Sequence, residues 1–258
     1  MNRVSIDVAS RRRTFFHLTP NVPRDTAPLL LALHGTTQNG RQMQRFSGGT
    51  LVALAERIGA DLVCLNGYHR AWNDGRTTKY SAAQRRTVDD TAFVQAVVAR
   101  FERPALAIGY SNGGQLVHRM LREIPGTFVG ATIVAAGLPV DDDYEFAGVA
   151  PDSIPLLMFH GTGDPVVPYG GGATRMLGRT RGEVRSALDT AATYATGEPV
   201  VSSTGTIERR DWAGVRLVTQ IGAGHVIPNR KTAPTPWLIG PSHHDLDTGE
   251  EIRAFFGL

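Results

Sequence analysis

The chain has almost no cysteine. Cys64 is the only one in 258 residues, so no intrachain disulfide can form and a disulfide-held scaffold is excluded. It lies in the apolar run Leu62-Val63-Cys64-Leu65 and reads as a core residue. Long hydrophobic runs are lacking as well. No segment approaches 18 apolar residues, so no membrane partnership is expected. Residues 1–7 hold no apolar stretch of the kind that opens a signal peptide. The expected location is cytoplasmic, unless a signal has been removed. Lysine stands only at Lys79 and Lys231, so arginine carries the positive charge. The net charge of +3 is small. The one basic run, Arg11-Arg12-Arg13, lies between two strand-like stretches and reads as a solvated hairpin; nucleic-acid binding is not expected.

What the chain does have is ordinary globular composition, 41% hydrophobic and 20% charged. Its length suits one α/β domain with a full core, over residues 1–258. Residues 4–8 and 14–18 read as an N-terminal hairpin. Apolar runs at 29–33, 61–65, 104–108, 128–136 and 155–159 read as strands buried on both faces. Helical spacing recurs at 51–58, at 88–101, after residue 111, at 182–194 and from Asp247, where Glu250 is placed for a capping box. Residues 206–212 and 215–221 read as two late strands turned at Ala213-Gly214. Strands alternating with helices imply a mostly parallel sheet with helices on both faces. Fewer than twenty residues separate the strands ending at Ala136 and starting at Pro155, which leaves no room there for a large cap domain. The polar stretch 66–86 is long for a loop in a compact domain, and such loops are often functional. The run Gly170-Gly171-Gly172 does not join a strand to a helix in a phosphate-binding pattern and reads as a plain loop.

The centre of the pattern is Gly109-Tyr110-Ser111-Asn112-Gly113-Gly114. It stands between the 104–108 strand and a helix carrying Leu116, Val117, Met120 and Leu121. Strand, Gly-x-Ser-x-Gly, helix is the context of a nucleophile elbow. A turn that sharp strains its central residue and leaves no space for side chains at Gly109 and Gly113. A plain glycine-rich turn with a capping serine is the simpler reading of the pentapeptide by itself.

A serine hydroxyl needs a base, and the base needs a carboxylate to orient it. In the order serine, acid, histidine, each partner follows a late strand. Asp164 follows the 155–159 strand and His225 follows the 215–221 strand. His243 and His244 are rivals for the base, and with Asp245 they also raise the question of a metal site, though no metal is expected. His34 and His160 stand at strand ends and read as structural; His118 on the elbow helix reads as solvated or packed. Oxyanion donors are expected in the backbone amides of Asn112, after the nucleophile, and Thr36, after the first central strand. Trp72, in the long loop, is expected to line the substrate site.

Taken together, several segments resemble one family. They are Leu33-His34-Gly35-Thr36-Thr37-Gln38, Trp72-Asn73-Asp74-Gly75, Val88-Asp89-Asp90, the elbow, His160-Gly161-Thr162-Gly163-Asp164-Pro165 and Gly222-Ala223-Gly224-His225. In that order they are similar to the polyhydroxybutyrate depolymerase and feruloyl esterase group of α/β-hydrolases. The resemblance implies an α/β-hydrolase fold and a serine carboxylesterase with Ser111, Asp164 and His225 as its triad, acting on a small-molecule or oligomeric ester without a cofactor. Two departures stand out. Thr36 occupies a position where secreted members often carry cysteine, and no polymer-binding module is visible. A peptidase or acyltransferase on the same triad, or a non-catalytic hydrolase-like binding protein, are the alternatives. Nothing in the residues speaks to oligomeric state.

Overall fold

A computed structural model of the chain describes residues 1–232 and 236–258, with Pro236 described by its backbone only. Pro234 of the proline-rich stretch lies outside the described residues. In chain order the elements are β1 (Asn2–Val8), β2 (Arg11–Leu18), β3 (Leu29–Leu33), α1 (Gly40–Phe46), α2 (Thr50–Ile58) and β4 (Leu62–Leu65). Next come α3 (Ala82–Arg85), α4 (Asp90–Phe101), β5 (Ala105–Tyr110), α5 (Asn112–Glu123), β6 (Gly130–Val134) and β7 (Leu156–Gly161). The last part holds β8 (Gly172–Met176), β9 (Arg179–Val184), α6 (Ala187–Ala192), β10 (Val200–Thr204), β11 (Ile207–Trp212), β12 (Val215–Gln220), α7 (Pro236–Ile239) and α8 (Thr248–Phe256).

Ten strands make one sheet in the order β1-β2-β4-β3-β5-β6-β7-β12-β11-β10. The middle six, from β4 to β12, run parallel. Antiparallel pairs flank them at both ends, including the expected β1–β2 hairpin. Every residue of β3, β4, β5, β6 and β7 is buried. Their side chains alternate between two cores, as period-two geometry requires. On one face Leu29, Leu31 and Leu33 pack with Phe93 and Val97 of α4 and with Leu116 and Met120 of α5. On the other, Leu30 and Ala32 pack with Met43 of α1, Leu51 and Leu54 of α2, and Ile252 of α8. No described helix is long and apolar enough to cross a membrane.

Several local expectations need correction. The basic run is not simply solvated. The β1–β2 turn sits at Ala9-Ser10, both at positive φ, so the arginines belong to β2 and alternate in direction. Arg13 points inward, donates to Asp90 Oδ1 at 2.6 Å and lies over the Phe93 ring. Residues 182–194 are not one helix. Residues up to Val184 form β9, which pairs with β8, and the helix is only α6. Gly182 takes φ 93°, a conformation that ends any helical pattern there. Helix α8 begins as expected, with Asp247 Oδ1 accepting from the Gly249 and Glu250 amides. Glu250, however, accepts from Arg57 across the helix pair instead of closing a capping box.

Candidate active site

The site forms where the parallel strands end. β5 stops at Tyr110, α5 starts at Asn112, and Ser111 between them holds φ 54° and ψ −122°. Two glycines make that turn possible. A Cβ on Gly109 would stand 2.5 Å from the Gly113 carbonyl oxygen, and one on Gly113 would stand 2.2 Å from the Leu33 carbonyl oxygen. Neither contact is tolerable, so backbone rather than side chain fills the space behind the serine.

Asp164 and His225 follow β7 and β12, which are neighbours in the sheet, so their loops meet, the Gly163 amide donating to Ala223 O. His225 Nε2 lies 2.8 Å from Ser111 Oγ, and His225 Nδ1 lies 2.7 Å from Asp164 Oδ2. The backbone of His225 is held from both sides: its N–H donates to Ile239 O, and its carbonyl accepts from the Tyr110 hydroxyl at 2.8 Å. Asp164 Oδ1 accepts from the Val166 and Val167 amides, both at 2.8 Å. Burial by itself would raise the pKa of Asp164. The His225 ring, with hydrogen bonds from His160 and His225, outweighs burial and holds the carboxyl well below the usual range. Asp164 is therefore a carboxylate with both oxygens occupied.

Among the described residues, the amides of Thr36 and Asn112 have no acceptor. Both residues line the same cleft as Ser111 and His225. The Asn112 N–H belongs to the first turn of α5, where amides have no partner within the helix. Gly35 lets the loop pass the elbow closely, since a Cβ there would stand 2.9 Å from the Tyr110 ring.

Trp72 does not line the cleft, contrary to expectation. Its side chain is fully buried, its Nε1 donates to His34 O at 2.7 Å, and its ring leans on the His34 ring. The physical reason lies in the loop itself, which folds down onto the elbow. The Trp72 amide donates to Asn112 Oδ1, and Asn112 Nδ2 donates to Asp74 Oδ2. Asp74 in turn accepts from Gln84 and forms a buried pair with Arg76. Burial would raise its pKa, but the Arg76 cation and the hydrogen bonds lower it. His34 is neutral: burial pulls its pKa down to about 4, its Nε2 accepts from the Gly67 amide, and its Nδ1 donates to Gly35 O. The motif 72–75 thus braces the residue after the serine and the loop carrying Thr36.

His118 is packed, with Nδ1 accepting from Tyr194 and Nε2 donating to Ala136 O. His160 donates to Val167 O and so supports the Asp164 turn. The rivals for the base stand apart from the serine's hydrogen bonds. His244 meets Asn229 O, and Asp245 accepts from Gln220 and Thr206. Among the described residues, no three His, Cys, Asp or Glu side chains group to hold a metal.

The cleft measures about 210 Å³. Phe46, Val166, Val167, Met176, Leu238 and Ile239 give it an apolar wall. Arg76, Tyr80, Gln115 and Arg181 add polar groups to its lining. The β8–β9 hairpin and Arg76 went unread in the sequence. The hairpin's weak pattern, exposed at most positions, carries little signal, and an arginine in a polar loop looks solvated.

This sheet order, with the elbow after β5, is the α/β-hydrolase fold. An acetyl xylan esterase from Aspergillus awamori matches in structure at TM-score 0.69 and 12% identity, over 100% of this chain and 99% of that one. Est1E from Butyrivibrio proteoclasticus matches at TM-score 0.54 and 15% identity, over 87% of this chain and 90% of that one. In sequence, the chain is similar to "Putative esterase NocK" of Nocardia uniformis subsp. tsuyamanensis, 29% identical over 96% of this chain and 80% of that protein. No family model matches the chain.

Proposed function

We propose that the chain is a serine carboxylesterase, a single α/β-hydrolase domain over residues 1–258. Ser111 attacks the ester carbonyl while His225 Nε2 takes its proton. Asp164 holds the imidazole in the tautomer that leaves Nε2 free to accept, and stabilises the imidazolium. The amides of Thr36 and Asn112 receive the oxyanion. Collapse expels the alcohol, which takes the proton back from His225, and water then releases the acid by the same steps. The observation that carries this reading is the unbroken line from Ser111 Oγ through His225 to Asp164, opening on a cleft with two unpaired amides. The names of the sequence relative and of the Aspergillus structure speak for ester bonds as the target. The resemblance to polyhydroxybutyrate depolymerases and feruloyl esterases points to hydroxy-acid or hydroxycinnamate esters.

The test is labelling with a fluorophosphonate probe, followed by a panel of aryl, hydroxycinnamate and hydroxybutyrate esters. The protein should be labelled at Ser111, and Ser111→Ala should lose both label and turnover. Residual catalysis of about 10³–10⁴ over water is compatible with that. Full turnover by folded Ser111→Ala would end the proposal.

A further inference from the structure

The cleft carries an excess of positive charge. Arg76, Arg175 and Arg181 all line it, and among the described residues no aspartate or glutamate does. Arg76 is accounted for, since Asp74 pairs with it at 2.7 Å and Gln115 Oε1 accepts from it at 2.6 Å. Among the described residues Arg181 has no such partner. Its guanidinium lies over the Tyr80 ring, 4.9 Å from the centroid, and its charged neighbours are Arg76 and Arg179. Burial is the main cause that lowers its pKa, and those two cations add to it against Tyr80. A cation held half-buried among cations is costly unless something anionic joins it.

A second observation points the same way. Gln115, one turn into α5 from the serine, is 2% exposed and lines the cleft. Its Oε1 is engaged, but among the described residues its buried Nε2 has no acceptor. An unpaired buried amide costs free energy comparable to a lost hydrogen bond. A bound oxygen acceptor would satisfy it once the side chain turns its amide, now almost without accessible surface, toward the cleft. Phe46, Val166, Val167 and Leu238 add apolar surface to the same cleft.

We propose that the cleft selects carboxylate-bearing esters. An apolar arm packs on the Val166-Val167 wall, and an anionic arm reaches Arg181 and Gln115 Nε2, with Arg175 adding to the field. This rests on the serine esterase reading for the ester itself. The recognition is a binding property and can be tested without turnover.

The experiment uses the full chain as Ser111→Ala, which keeps the cleft and leaves bound esters intact. Calorimetry compares mono-para-nitrophenyl glutarate with para-nitrophenyl pentanoate, an anion on the acyl arm. It also compares para-butyryloxybenzoate with phenyl butyrate, an anion on the alcohol arm. In at least one arm the anion should bind about tenfold or more tighter than its neutral counterpart, as a charge-assisted contact would give. The preference should shrink at high salt. Adding Arg181→Gln should reduce the preference about tenfold, and Arg175→Gln, at an exposed strand position, should reduce it less. Equal or weaker binding of the anion in both arms overturns the proposal. A preference untouched by either arginine substitution overturns it too, because the anion then binds elsewhere. Failure of the esterase reading would show instead in the labelling test, which this measurement does not involve.

Discussion

Ser111 pays for its position with backbone strain, of order 1–3 kcal/mol for such a φ and ψ in a residue other than glycine. That strain places its hydroxyl against His225 instead of in the turn. On the proposed mechanism, Asp164→Asn should lower kcat by about 10⁴, because the amide favours the wrong His225 tautomer while keeping the side-chain volume. His244→Ala should cost far less, since among the described residues that ring bonds only to Asn229 O. Equal losses would undo the choice of base. Thr36 separates amide from side chain. Thr36→Ala keeps the N–H and should retain much of the activity. Thr36→Pro removes it and should lose about 10²–10³ in kcat. Both variants must first give native circular dichroism and melting. A folded Thr36→Pro as fast as Thr36→Ala would move the second donor elsewhere.

At the scale of elements, the elbow is held from two sides. Behind it, β3 passes so close that Gly113 has no room for a Cβ. Gly113→Ala should therefore destabilise the protein by roughly 1–3 kcal/mol or more, the usual cost of overpacking. Denaturant titration would read it, and a neutral substitution would show that the strand can yield. In front, the 72–76 segment clamps Asn112 through backbone and carboxylate. Trp72 is part of that clamp. Trp72→Ala should cost about 3–5 kcal/mol of stability and lower turnover on all esters together. A change in the ranking among substrates without loss of stability would place the ring in the cleft after all.

Across the whole molecule, two neutral histidines tie the layers and make the fold sensitive to acid. Burial lowers His34 to about 4 and His118 to about 3, where Arg122 adds to the effect. Below the ordinary histidine pKa of about 6.5 the unfolded chain binds these protons and the folded chain does not, so stability falls as pH falls. The loss runs from about pH 6.5 down to the folded values and is fully developed only below them. Between about pH 7 and 5 each ring should cost on the order of 2 kcal/mol. His118→Gln can keep a hydrogen bond but not titrate. Its stability should fall less over that interval than the parent's, by denaturant titration at both pH values. An unchanged slope would mean that His118 is not buried neutral.

Much of this protein was determined locally by its residues. Short continuous apolar runs bounded by turn residues suit strands covered on both faces, and Gly-x-Ser-x-Gly between such a strand and a helix suits a sharp turn. The fold class, the parallel centre and the turn between β5 and α5 were legible for that reason. What the chain folds against itself was not. Arg13 looked solvated until Asp90, far along the chain, supplied its partner. The β8–β9 hairpin and the exposed β10 carry too few buried positions to print a period. Trp72 lies on a loop of the right side of the sheet, but only tertiary packing decided that its ring turns inward to His34 while Arg76, Gln115 and Arg181 face the cleft. Periodicity reports which face of an element is covered; it does not report which loop side chains converge, because that depends on contacts between segments distant in sequence.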